Sequence, residues 1–77
     1  MPVKAVKPFA VRRRSVIISG RKTSIHLEDK FWQALREIAV AKDTTQTRLI
    51  TQIKENKPAN LSSAIRLFVL AYYRLKE

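Results

Sequence analysis

One change of hydrophobic period constrains this chain more than any other feature. From Lys22 to Leu27 the residues alternate. Thr23, Ile25 and Leu27 fall on one side of an extended strand and Lys22, Ser24 and His26 on the other, because strand side chains repeat every two residues. The period then turns helical: Phe31, Trp32, Leu35, Ile38 and Ala39 form a single amphipathic stripe. Glu28 and Asp29, at the junction, suit a first helical turn, where carboxylates oppose the positive end of the helix dipole. A short strand feeding straight into a helix leaves unpaired N–H and C=O groups along its edges, and something has to pair with them.

Upstream, Ser15-Val16-Ile17-Ile18-Ser19 has the β-branched content of a strand, and Gly20, the only glycine, stands where a turn or bulge takes positive φ. Two arrangements fit: a hairpin turning near Ser19-Gly20-Arg21, or one long strand kinked at Gly20, with the pattern leaning to two strand segments. Residues 1–14 read as a basic flexible arm, because Pro2 and Pro8 disfavour helix and Phe9-Ala10-Val11 is too short a cluster to bury itself. Residues 15–77 then form one domain. Its first helix is expected over about residues 28–42, with Lys30, Gln33, Arg36 and Glu37 outward. Thr45 can cap a second helix over about 46–55, with Leu49, Ile50 and Ile53 inward, which Asn56-Lys57-Pro58 ends. Asn60 caps a third helix that buries Leu61, Ile65, Phe68, Val69, Tyr72 and Leu75. Leu67, Leu70 and Tyr73 widen that helix's apolar arc beyond what a small monomer can cover, which suits a subunit interface. Phe31 and Phe68 are expected in the core, and Trp32 near its edge, with a partner for the indole N–H.

The chain has 77 residues, no cysteine and one histidine, which removes disulfides, thiolate sites and any multi-histidine metal cluster from consideration. A small unstapled domain commonly completes its core with a second subunit, so a homodimer is expected. The net charge is +10, and residues 1–22 supply seven basic side chains without one acid. That clustering points to a polyanion, nucleic acid ahead of an acidic membrane surface. A solubilising tail is the plainer use of the same charges. One histidine and six scattered carboxylates supply no triad or carboxylate pair, so neither catalytic residues nor cofactors are expected. No run approaches the roughly 18 apolar residues of a membrane span. The basic N-terminus lacks the apolar segment of a secretory signal, and a cytoplasmic protein is expected.

The order of these elements carries a family likeness. Thr23-Ser24-Ile25-His26-Leu27-Glu28-Asp29, followed by Phe31-Trp32-Gln33-Ala34-Leu35-Arg36-Glu37-Ile38-Ala39 and by Thr45-Gln46-Thr47-Arg48-Leu49-Ile50, resembles a ribbon-helix-helix domain of the Arc and methionine-repressor superfamily. The decapeptide from Thr23 to Trp32, with Asn60-Leu61-Ser62-Ser63-Ala64-Ile65-Arg66, is similar to a small bacterial subgroup of unassigned role. The superfamily pattern covers about residues 22–56 and the subgroup likeness reaches about Arg74. The resemblance implies a mostly α fold with a short β-ribbon, an additional C-terminal helix and an intertwined homodimer whose antiparallel ribbon enters the DNA major groove. Carried over by position, Lys22, Ser24 and His26 face the bases. Thr45, Gln46 and Thr47 offer backbone N–H groups to phosphate at the second helix's N-terminus, with Arg48 nearby, and Arg12, Arg13, Arg14 and Arg21 add charge. The implied partners are double-stranded DNA and a second copy, with pairing of dimers into a tetramer on DNA left open; when bound, the protein sits on the nucleoid.

Three departures from the family pattern stand out. The turn Lys42-Asp43-Thr44 lacks the glycine common between the two helices, the third helix is extra, and His26 replaces smaller or more basic residues, so base specificity does not transfer. Nickel-responsive members do not make His26 a metal ligand here, with no second histidine and no cysteine to join it. Competing uses of the same fold are an antitoxin-like or adaptor module and membrane-surface attachment through the arm. Against an antitoxin, only Lys76 and Glu77 follow the third helix where a toxin-wrapping tail is usual.

Overall fold

The computed structural model describes residues 10–75. Two antiparallel strands, β1 (Val11–Ile18) and β2 (Arg21–Glu28), lead into helices α1 (Asp29–Ala41), α2 (Gln46–Glu55) and α3 (Leu61–Leu75). Of the two arrangements open at Gly20, the hairpin is the one found. Register runs from Val11 opposite Glu28 to Ile18 opposite Arg21, which leaves Ser19 and Gly20 as a two-residue loop. Both loop residues have positive φ, 52° and 78°, the combination whose twist matches that of the flanking strands. A Cβ on Gly20 would meet nothing within 4 Å, so the demand on this glycine is conformational and not steric.

The hairpin changes one expectation. Val11 to Arg14 belong to β1, so the expected arm loses its last four residues to the sheet, while residues 1–9 lie outside the described part of the chain. The turn also lets β1 take one edge of β2, and the expected pairing of β2 with a second copy falls to its other edge.

One core closes between the hairpin and the helices. Ile18, Ile25 and Leu27 from the sheet meet Trp32, Leu35, Ile38 and Ala39 of α1, Leu49, Ile50 and Ile53 of α2, and Ile65 and Val69 of α3, all buried. Phe31, Phe68 and Tyr72 pack half-buried against it. Helix ends follow from their caps. Thr45 Oγ1 accepts the Arg48 N–H at 3.1 Å and Asn60 Oδ1 accepts the Ser63 N–H at 3.0 Å, both as expected. The glycine-less turn after α1 is solved by Asp43, which takes φ 55° itself. Its N–H donates to Val40 at 3.1 Å, and the Thr44 N–H donates to Ala39 at 2.8 Å, the paired closure of a Schellman motif. Lys57 repeats the left-handed residue after α2, at φ 53°, just before Pro58. Leu75, expected inward, is 86% exposed because α3 outlasts the core beneath it.

Candidate nucleic-acid interface

The hairpin has one sealed face and one open face. Ile25 and Leu27 are buried and Thr23 is half-buried, while Lys22, Ser24 and His26 are exposed on the other side, as the alternation requires. β1 completes both rows. Ile17, Ser15 and Arg13 stand opposite Lys22, Ser24 and His26, and directly opposed residues share a face.

The same register sorts three adjacent arginines that the sequence leaves equivalent. Arg13 lies on the open face, with His26 across from it. Arg12 and Arg14 have the other parity and turn toward α1. Arg12 Nε is 2.7 and 2.9 Å from the two carboxylate oxygens of Asp29, in an exposed ion pair. The Arg14 guanidinium lies 5.2 Å from the Trp32 ring centroid. Trp32 Nε1–H donates to the Arg12 carbonyl at 3.1 Å, and the Asp29 N–H donates to the Ala10 carbonyl at 3.3 Å. The first turn of α1 thereby holds the start of β1 from both its backbone and its side chains. Trp32, expected near the core's edge, is buried, and its indole N–H has the partner it was expected to need.

Among the described residues, no ion pair engages Arg13, Arg21, Lys22 or Arg48. The acid at the end of β2 is engaged: Arg66 Nε of α3 donates to Glu28 Oε1 at 2.8 Å. That hydrogen bond, chiefly, holds the Glu28 carboxyl below the ordinary carboxylate range. Glu28 shares the parity of the open row, so this pairing keeps an uncompensated anion off the ribbon's end.

At the N-terminus of α2, Thr45, Thr47 and Arg48 are exposed. The Gln46 side chain is committed elsewhere, its Nε2 donating to the Trp32 carbonyl at 3.0 Å, so only its backbone N–H remains for an anion. An open groove of about 660 Å³ runs along this end of α2 and is lined by Arg14, Trp32, Arg36, Thr45 and Gln46, among others. Arg36, which the sequence placed on a plain solvated face, thus shares a groove with Arg14 and the α2 terminus. Its spacing four residues after Trp32 was the one available signal. Asp29 also lines the groove, so its charge is mixed.

Comparison with known proteins settles the family. The ribbon-helix-helix domain profile matches residues 11–73. This chain belongs to the ribbon-helix-helix family. Ribbon-helix-helix domains are in general DNA-binding and of a non-enzymatic kind. A similar solved structure is that of an uncharacterized protein from Bordetella pertussis Tohama I, 32% identical, with a TM-score of 0.77 over 91% of this chain. The alignment takes in 61% of that protein, so this chain spans about three fifths of its length. A bacterial relative without an assigned role accords with the subgroup likeness read from the sequence. No curated protein matches the chain. Among the described residues, no helix of this ribbon-helix-helix domain is long and apolar enough to cross a membrane.

Proposed function

We propose that this ribbon-helix-helix protein is a homodimeric, sequence-specific DNA-binding protein of the cytoplasm, a small transcriptional regulator that places its β-ribbon in the major groove. The observation that carries this reading is the two-stranded ribbon with one face sealed by the core and the other presenting Lys22, Ser24 and His26 to solvent. A ribbon of that width fits the major groove, and those three side chains can donate to or accept from base edges. Phosphate contacts fall to Arg12, Arg14, Arg21 and Arg48, and to the backbone N–H groups of Thr45, Gln46 and Thr47 at the positive end of α2. Leu67 and Leu70 of α3, 67% and 57% exposed, supply the apolar surface for a second copy.

The same two leucines favour a second reading, a protein-interaction module that keeps the fold without reading DNA. Selection of bound sequences from a random duplex pool, across a salt series, separates the two. Recovery of a short recurrent site supports DNA reading. Binding that is salt-sensitive but indifferent to sequence refutes it and leaves the interaction module.

A further inference from the structure

We infer that His26 links DNA binding to pH: the imidazole takes up a proton as the ribbon meets the duplex, so affinity rises with acidity. This rests on the DNA-binding reading above and concerns how that surface is regulated. Imidazole is the one side chain whose charge ordinarily changes between about pH 5 and pH 8. The chain has a single histidine and no cysteine. That histidine is exposed on the open face of the hairpin, in one row with Lys22 and Ser24. Strand parity puts it there, whatever lines the other edge of β2.

The surroundings of His26 decide the sign of the effect. Arg13 of β1 stands directly across the ladder, where opposed Cβ atoms lie about 4.5–5.5 Å apart. Along β2, Ser24 and Glu28 flank it on the same face, with Lys22 beyond Ser24. Glu28 is the one carboxylate of that row, and Arg66 of α3 already binds it at 2.8 Å. Asp29, which opens α1, is held in the same way by Arg12. No ion pair among the described residues engages His26. The open face therefore offers an imidazolium no uncommitted carboxylate. Duplex DNA supplies what the protein withholds, with one negative charge for about every 1.7 Å of its axis. The charged ring also has two N–H donors for phosphate, or for the guanine O6 and N7 of the major groove, where the neutral ring has one. Protonation and binding therefore favour each other, and by linkage each strengthens the other equally. Affinity is highest below the imidazole range and falls as pH rises through it.

The experiment titrates the selected duplex from about pH 5.5 to about pH 8, at several salt concentrations, with wild type, His26→Gln and His26→Lys. Circular dichroism melting at each pH controls for folding. Wild-type affinity is expected to fall about tenfold across the window. Its slope of log affinity against log salt is expected to be steeper at the acid end, by up to about 1 for each engaged imidazolium. His26→Gln, which cannot become charged, is expected to show neither change, and His26→Lys to keep the steeper slope throughout. Calorimetry in two buffers of different ionisation enthalpy is expected to show wild type taking up more protons on binding than either variant. The α-amino group titrates at the upper end of the window but is common to all three proteins. Equal pH dependence in wild type and His26→Gln, or wild-type binding without extra proton uptake, overturns the role of His26 and leaves DNA reading standing. A wild-type protein that prefers no duplex at any of these pH values overturns the DNA-reading proposal itself.

Discussion

The indole N–H of Trp32 donates to the main-chain carbonyl of Arg12 across 3.1 Å, joining the first turns of α1 to the start of β1. This one bond has a consequence for the interface. With the Arg12 carbonyl directed at α1, strand parity sends the Arg13 side chain to the open face and keeps Arg12 and Arg14 along the helix. Trp32→Phe is expected to leave the part-buried Arg12 carbonyl without its donor and a gap in the core, at a cost of about 1–3 kcal/mol. Urea unfolding followed by circular dichroism measures the loss, and a change below about 0.5 kcal/mol would contradict the role given to this bond.

Two left-handed backbone positions make opposite predictions. Gly20→Ala puts a Cβ on a residue at φ 78° and is expected to cost about 1–2 kcal/mol. Asp43→Gly relieves a non-glycine residue at φ 55° in the turn after α1 and is expected to raise the melting temperature. Thermal melts of both variants check the pair. A destabilised Asp43→Gly would mean that the aspartate contributes more than its backbone conformation.

Glu28 and Arg66 set a pH dependence. Hydrogen bonding to Arg66 lowers the Glu28 carboxyl in the folded chain, so the protein gains stability from the pair wherever the unfolded chain would also be ionised. That contribution is complete above the ordinary glutamate value of about 4.3 and disappears as pH falls through the lowered folded value. Melting temperatures of wild type and Arg66→Ala are expected to differ at pH 6 and to converge toward pH 3. A difference that stays constant with pH would assign the effect of Arg66 to packing alone.

Binding itself should separate reading from clamping. Arg48→Ala, at the N-terminal end of α2, is expected to reduce the slope of log affinity against log salt by about 1 and to leave sequence preference alone. Lys22→Ala, on the open ribbon face, is expected to relax preference at its own base position. Titrations of selected and unrelated duplexes at several salt concentrations give both quantities. Equal losses on both duplexes from Lys22→Ala would remove it from the reading set.

Much of the fold was legible because it is local. The alternation from Lys22 to Leu27, the stripe through Ile38, and the hydroxyl and amide caps at Thr45 and Asn60 are each decided within a few residues, and the helices fall within a residue or so of their expected ends. The open-face trio followed from the same alternation. What the sequence hid depends on pairing at a distance. Arg12-Arg13-Arg14 shows no apolar alternation, so its parity appears only once β1 is in register with β2. Choosing between hairpin and kink turned on whether Ser19 would accept positive φ, which serine does not signal. Asp43 hid the turn after α1 in the same way. Arg36 and the side chain of Gln46 acquire their surroundings only from the packing of α1 against α2.

Whether the open face of the hairpin meets DNA is decided by amide and side-chain NMR shifts of the full chain as a duplex carrying the selected site is added. The largest changes are expected at Arg13, Ser15, Lys22, Ser24 and His26, with smaller ones at Thr45, Thr47 and Arg48, and little at Leu67 and Leu70. A ribbon that stays silent while shifts concentrate on α3, or fall evenly over every basic side chain, would contradict it.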